Sequence, residues 1–296
     1  MNILIAGGTG FIGQKLINLL NSQGYHIYIL TRTPQLYDNN ENKTYIGYDD
    51  PIETLPDFYA IINLAGDSLY GYWTKKKKEA IRFSRIKTTQ TLINYMKQMK
   101  KKPNVFINSS AVGYYGTSDE IIFTEKTIPP GDDFLANVVI KWEETAKQAE
   151  RLGIRTVYTR FGVVLGREGG ALPIMTIPVK LFAGGKIGSG EQWISWIHIQ
   201  DAVDIITFCM NHKQVKGPVN VTSPNPVRNK DFMKTLAKVI KRPYWFPTPL
   251  PLVRLAIGEM SDLITKGQFV LPRKVESFHF EFSYPKLEDA LKEINP

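Results

Sequence analysis

Met1-Asn-Ile-Leu-Ile-Ala-Gly7-Gly-Thr-Gly10-Phe-Ile-Gly13 opens the chain and decides how the rest of it is read. The apolar run from Ile3 to Ala6 has the length and composition of a buried strand. Gly7, Gly10 and Gly13 follow at the spacing G-x-x-G-x-x-G. An amphipathic segment then begins, with Ile12, Leu16, Leu19 and Leu20 on one helical face. A strand, a glycine turn and a helix start in this order form a site for a dinucleotide pyrophosphate. Gly7 permits the tight turn, Gly10 lets backbone N–H groups approach the phosphates, and Gly13 lets the helix lie close on the sheet. The helix N-terminus then faces the anion with free N–H groups and partial positive charge.

His26-Ile-Tyr-Ile-Leu30 is the expected second strand, with Gly24 as a cap ending the helix before it. A site selective for NAD normally carries Asp or Glu at the end of this strand, bound to the ribose 2′-hydroxyl. Here Thr31, Arg32 and Thr33 stand there, and no carboxylate occurs from residue 14 to residue 37. A carboxylate would repel a 2′-phosphate, whereas Arg32 hydrogen-bonds to one. Such a charge-assisted bond contributes roughly 1.5–3 kcal/mol, or about 10- to 150-fold in affinity. The expected cofactor is NADP(H) rather than NAD(H).

With 296 residues, 43% hydrophobic and 22% charged, the chain has room for one large α/β domain and a smaller lobe. No apolar stretch approaches the roughly 20 residues that span a bilayer. The glycine turn cuts short the N-terminal apolar run, so no signal peptide is expected and a cytoplasmic location fits. The single cysteine, Cys209, excludes an intramolecular disulfide and a cysteine metal cluster, and its apolar neighbours place it in the core. Histidines 26, 198, 212 and 279 show no zinc spacing, so no metal is expected. Much of the net charge of +9 lies in Lys75–Lys78 and in Lys97, Lys100, Lys101 and Lys102, which flank a long helix. Without interleaved aromatics or a recognised module, these runs read as a solvated helix face, not as a nucleic-acid surface. Their field would still draw in an anionic ligand. The expected partner is a small-molecule substrate, with no nucleic acid and no membrane, on a monomer or homodimer.

Strands alternate with helices through the first half, which predicts a doubly wound parallel α/β sheet of Rossmann type. Further strands are expected at Thr44–Tyr48, Ala60–Leu64, Val105–Ser109, Arg155–Phe161 and Val219–Thr222. Helices are expected at Lys75–Met99, at Ala136–Arg151 ended by Gly153, at Asp201–His212 with Asp201 as N-cap, and at Lys230–Ile240. Residues 1–165 read as the dinucleotide-binding domain and 166–296 as a smaller C-terminal substrate lobe, with residues from about 193 to 222 returning to the Rossmann core. Residues 243–251 form a proline-rich connector.

Several motifs in this order resemble the extended short-chain dehydrogenase/reductase superfamily. They are the glycine turn at 7–13, Asn63-Leu-Ala-Gly66, Ser109-Ser-Ala111 with Tyr114-Tyr-Gly116, and Trp196-Ile-His-Ile-Gln-Asp201. Trp73-Thr74 with Ser84-Arg85, Phe134-Leu-Ala136, Trp142-Glu143, Asn220-Val-Thr-Ser-Pro-Asn-Pro226 and the tail from Gly267 to Leu291 resemble, more narrowly, the bacterial YfcH-type epimerase-like family. The tail is similar to a small C-terminal domain of that family. The resemblance implies cofactor contacts at Gly7, Thr9, Gly10, Phe11, Ile12 and Gly13, and at Thr31 and Arg32. It extends them to Leu64, Ala65, Gly66 and Ser109. Arg85 reads either as an anion contact or as a surface helix arginine. Trp193, Trp196 and His198 are expected to organise the junction of lobe and sheet. By resemblance to relatives that hold a nucleotide-sugar, Arg228 would meet an acidic ligand.

The departure concerns catalysis. Extended relatives use a Ser or Thr and a helix carrying Tyr-x-x-x-Lys, because a phenol with a pKa near 10 needs a nearby cation to work near pH 7. The corresponding helix here, Phe134 to Glu144, has no tyrosine, and aligning Glu143 places Leu135 and Val139 where Tyr and Lys would sit. The literal match, Tyr72 to Lys76, lies too early and beside a lysine run. Tyr114 or Tyr115 is therefore the candidate phenol. Ser110 is the candidate hydroxyl, with Ser109 as alternate, and Lys141 stands about one turn from the expected lysine. Two functions compete: an NADP(H)-dependent oxidoreductase or epimerase, and a non-catalytic NADP(H)-binding sensor.

Overall fold

A computed structural model describes residues 1–245 and 247–296, without the side chain of Ala256. Seven parallel strands form the central sheet: β1 (Asn2–Ala6), β2 (His26–Leu30), β3 (Lys43–Ile46), β4 (Phe58–Asn63), β5 (Val105–Ala111), β6 (Arg155–Phe161) and β7 (Gly217–Val221). Their order is β7-β6-β5-β4-β1-β2-β3. The chain therefore runs outward from β1 to one edge and then from β4 to the other. This leaves a crevice beyond the strand C-termini between β1 and β4, where doubly wound sheets bind ligands.

Alternation along the strands sorts the core into two layers. Ile3 and Ile5 of β1 pack with Leu16, Ile17 and Leu20 of α1 (Phe11–Ser22). Leu4 and Ala6 face the side covered by Leu92, Ile93 and Met96 of α2 (Lys75–Gln98). Because both faces are covered, the strands read as nearly continuous apolar runs. A third helix, α3 (Phe134–Ala146), lies beside α2, and α4 (Ile199–Asn211) lies beside α1. A separate apolar cluster holds Trp196, Phe232, Leu236, Leu287 and Leu291, which ties α5 (Asn229–Val239) to the C-terminal helix α6 (Leu287–Ile294). The connector at 243–251 is described except for Phe246, which lies outside the described residues.

Three local expectations are corrected. The helix expected over 136–151 is α3, capped by the Asp133 carboxylate on the Ala136 N–H, followed by a 3-10 segment at Lys147–Leu152 that Gly153 ends at φ +77°. Asp201 does not cap α4. His198 does, its ring accepting the Gln200 N–H, while the buried Asp201 carboxylate accepts the N–H groups of Ser283 at 2.7 Å and Tyr284 at 3.0 Å. The Asp-in-first-turn pattern fits either role, and only the approach of the distant tail decided it. The lysine run is also not uniformly solvated. Lys77 pairs with Asp67 at 2.8 Å and Lys78 pairs with Glu259, fastening α2 to the turn after β4 and to the C-terminal part.

His198 is 2% exposed and meets Glu293 of α6 at 2.8 Å. Burial holds its imidazole below the ordinary value of 6.5, against the opposing pull of Glu293 and Asp201. A depressed folded-state pKa contributes stability that is complete above the unfolded value and is lost as pH falls through the folded one. Unfolding free energy should therefore decline as pH drops below about 6.5. His198→Gln should flatten that part of the profile in urea titrations. An unchanged slope would remove His198 from the account.

Candidate functional site

The glycine turn is built as a cradle. Gly7 sits at φ +80°, and a Cβ there would lie 2.7 Å from the backbone N of Ala65. At Gly13 a Cβ would lie 2.4 Å from the Gly7 carbonyl oxygen, so helix and turn touch backbone to backbone. Gly10 differs, since its added Cβ would meet only the Gly7 oxygen at 3.3 Å. The first bond of α1 runs from the Gln14 N–H to the Gly10 carbonyl at 2.9 Å. The N–H groups of Phe11, Ile12 and Gly13 accordingly have no partner further up the helix. No side chain caps this end, and no acidic residue lies in its first turn. These features fit the diphosphate of a dinucleotide. The Phe11 ring turns away and packs where Gly166, Gly169 and Gly170 leave room.

Near the cradle, Thr31 and Arg32 follow β2 directly. Arg32 is exposed and makes no ion pair among the described residues. The turn Leu64-Ala65-Gly66 follows β4 and is held from inside by Asn63. The Asn63 side chain accepts the Ala65 N–H at 3.1 Å and donates to Asn108 at 2.7 Å and Thr89 at 2.9 Å. Arg85 is neither a plain surface residue nor free for an anion on all its donors. Its Nη1 donates to the carbonyls of Asp67 and Ile81, and its guanidinium lies 5.3 Å from the Trp142 ring. Burial pushes its pKa down, and the nearby Asp67 charge offsets part of this. It braces the underside of the 64–67 turn.

At the end of β5 the structure reveals a buried polar chain. The Ser110 hydroxyl donates to Glu143 Oε1 at 2.5 Å. Both oxygens of Glu143 accept from Arg160 at 2.8 Å, with side-chain exposures of only 4% for Arg160 and 12% for Glu143. Arg160 Nη1 donates to the Tyr115 hydroxyl at 2.9 Å, which donates onward to Asn220 at 2.7 Å. Burial alone would lower the Arg160 pKa, but Glu143 raises it overall. Tyr115 is 4% exposed, and burial pushes its phenol up to about 12 despite Arg160. Tyr115 is thus a locked hub of the network. Tyr114 is only half-buried, with its ring lying 3.5 Å over the Arg160 guanidinium. Ser109 faces the opposite side of β5 from Ser110 and is also buried.

Leu135 and Val139 stand on α3 where relatives would place phenol and ammonium. Leu135 packs with Trp73, Ile81, Val138 and Met260, and Val139 is buried. Lys141 points outward, 65% exposed, toward Glu144. Tyr72 donates its hydroxyl to the Leu255 carbonyl at 3.3 Å. Arg228 stacks on Trp193 at 3.8 Å and donates to the Glu191 and Asp119 carbonyls, so contacts within the protein engage it where an acidic ligand was expected. Arg160 and Asn108 escaped the sequence reading, and Asn63, Glu143 and Asn220 entered it only within the motifs that carry the resemblance, with no role assigned. A signal was present: each strand residue among them is a polar interruption in the middle or C-terminal half of a buried strand. Among the described residues, no group of acidic, histidine or cysteine side chains is arranged to hold a metal ion. No helix among them is long and apolar enough to cross a membrane.

This strand order, glycine cradle and ordered turn after β4 define a nicotinamide-dinucleotide-binding fold of the extended short-chain dehydrogenase/reductase type. Residues 3–222 match the NAD dependent epimerase/dehydratase family, and residues 248–294 match a domain of unknown function, DUF1731. The chain belongs to the NAD dependent epimerase/dehydratase family, as an atypical extended member. It is 46% identical over 298 residues to the epimerase family protein YfhF of Bacillus subtilis, covering 99% of this chain and 98% of that protein. It is 42% identical to the epimerase family protein SH2119 of Staphylococcus haemolyticus, covering 98% of each. The crystal structure of human epimerase family protein SDR39U1 (isoform 2) with NADPH is 34% identical, covers 99% of each chain and superposes with a TM-score of 0.90.

Proposed function

We propose that this protein binds NADP(H) and acts as an oxidoreductase or epimerase of the atypical extended type on an alcohol, carbonyl or sugar-nucleotide-like substrate in the cytoplasm. The observation that carries the cofactor choice is Arg32, exposed and without an ion pair among the described residues, just past β2 in a stretch, 14–37, that contains no Asp or Glu. A NADPH-bound relative of the same fold supports the same choice. The amides of Phe11, Ile12 and Gly13 hold the diphosphate, and Arg32 meets the 2′-phosphate. Thr9, Thr31 and the 64–66 turn line the remainder. Bound NADP(H) would supply or accept a hydride. Tyr114, half-buried and stacked on Arg160 just beyond β5, exchanges the proton with the substrate oxygen, and Ser110 with Glu143 fixes the strand end beside it. The second reading is a sensor that binds NADP(H) without turnover. The apolar filling at Leu135 and Val139 favours it.

Cofactor titration tests the first step. Wild type should bind NADPH more tightly than NADH, and Arg32→Asp should weaken NADPH by roughly 10- to 150-fold. Equal or tighter NADH binding by the wild type would refute the choice. Nicotinamide oxidation across a carbonyl and sugar-nucleotide panel tests the second step. Tyr114→Phe should lower turnover by about 100-fold or more, the scale of a lost general acid or base. Tyr115→Phe should act mainly on stability. Tight binding with no turnover across the panel supports the sensor.

A further inference from the structure

The amides of the cradle belong to a helix end that its own sequence leaves loosely held. Gly10 stands at the cap position of α1, and no side chain caps that end. Uncapped helix ends fray, and a frayed first turn no longer points its N–H groups at one target. Gly13 fastens one side, backbone against the backbone of Gly7 and Gly8. Phe11, the first residue of α1, fastens another. Its side chain packs into the distant turn Gly166-Arg-Glu-Gly-Gly170.

The slot in that turn follows the side chain from base to tip. A Cβ at Gly169 would lie 2.9 Å from Phe11 Cβ and 2.6 Å from its Cγ, and one at Gly166 would lie 2.8 Å from Cε2 and 2.4 Å from Cζ. Neither glycine has a positive φ, so the backbone does not call for glycine at either place. The space that Phe11 takes is what excludes a larger residue. Gly170 differs, because its φ of +75° favours glycine whatever the space. The turn is itself anchored at both ends. The strand Val163–Leu165 pairs with Trp196–His198, a backbone bridge joins Leu165 to Gly170, and Leu165 and Leu172 are fully buried in one cluster with Trp196. An anchored turn thus holds the side chain of the residue whose N–H is the first amide of the cradle.

We infer that Phe11 is a positioning residue for the dinucleotide. Its side chain, enclosed by Gly166 and Gly169, holds the first turn of α1 so that the amides of Phe11, Ile12 and Gly13 converge on the diphosphate. The inference rests on the cofactor reading above and adds to it that affinity for NADP(H) depends on a turn in the C-terminal half of the chain. Linkage is reciprocal, so bound cofactor must steady the 166–170 turn by the same factor.

Titration of the full chain with NADPH, well below the melting temperature of every variant, tests it. Gly166→Ala sets a methyl group against the ring tip and should weaken NADPH about tenfold, the loss of roughly one hydrogen bond. Gly169→Ala presses on the base of the side chain, which no ring rotation relieves, and should weaken it at least as much. Phe11→Ala should do the same, and Phe11→Leu, which keeps an apolar plug, should recover part of the loss. Adding Phe11→Ala to Gly166→Ala removes the ring atoms that the methyl group meets and leaves Ile199 Cγ2 at an ordinary 3.4 Å. The double variant should therefore bind NADPH no more weakly than Phe11→Ala alone. Hydrogen exchange reads the reciprocal effect: NADPH should slow amide exchange across residues 166–170 in wild type and not in Phe11→Ala. Variants that melt earlier yet bind NADPH as tightly as wild type would make the slot plain packing and overturn the inference. Additive losses in the double variant overturn it too, as does unchanged exchange in NADPH-bound wild type, and in all three cases the cofactor reading stands. Absence of NADPH binding by wild type overturns both.

Discussion

Glu143→Ala should lower the unfolding free energy by about 3–5 kcal/mol, the scale of an ion pair broken inside a protein. The pair is almost wholly out of water, and Glu143 supplies both oxygens to Arg160 while accepting the Ser110 proton. Its removal leaves a guanidinium buried with Tyr115 as its remaining polar side-chain contact, in a place where the charge cannot be hydrated. Glu143→Gln keeps the shape and one acceptor, so its cost should be clearly smaller. Urea unfolding followed by circular dichroism measures both. A loss below about 1 kcal/mol for Glu143→Ala would mean that water reaches Arg160 and that the network is an ordinary surface pair. The same variant frees the floor on which Tyr114 lies, so turnover should fall even at temperatures where the fold persists.

Gly10→Val and Gly13→Val should separate binding from folding. At Gly10 an added Cβ meets only the Gly7 backbone oxygen, at 3.3 Å, so a shift of a few tenths of an ångström accommodates the Cβ itself, while the isopropyl group would stand in the proposed path of the diphosphate. NADPH affinity should fall by about 100-fold or more, equivalent to losing two charge-assisted hydrogen bonds, with a smaller drop in melting temperature than Gly13→Val causes. At Gly13 the Cβ meets backbone at 2.4 Å, and backbone does not step aside as a flexible side chain does. Here stability should fall as well, by about 1–3 kcal/mol or more, because α1 must lift from the turn. Isothermal titration and thermal unfolding distinguish the two. Undiminished NADPH binding by Gly10→Val would place the diphosphate elsewhere and sink the site assignment.

Local pattern carried much of this site. Short-range geometry dictates a strand that ends in a glycine turn and opens a helix. Gly7, Gly10 and Gly13 therefore carry separate tasks in the sequence reading, and the space around each differs in the fold. The resemblance carried the absence of Tyr-x-x-x-Lys to Leu135 and Val139, and both are apolar packing residues on α3. What pattern left open were the choices that depend on burial. Tyr114 and Tyr115 are adjacent and chemically identical. One lies half-exposed on Arg160, and the other is sealed between Arg160 and Asn220. The Asp201 reading failed for the same reason, since an acid near a helix start caps it unless a distant segment offers its N–H groups first.

From the order of residues alone came the alternation of strand and helix and the glycine turn between the first strand and the first helix, while the missing proton-relay dyad came from the resemblance to extended relatives. Periodicity and backbone stereochemistry act within a dozen residues, so the first two are written locally. Only the folded chain decided that Ser110, Glu143, Arg160, Tyr115 and Asn220 form one hydrogen-bonded line, which brings together positions up to 110 residues apart. Desolvation strengthens or forbids each of those contacts, and it belongs to no residue by itself. It arises when the sheet closes over them.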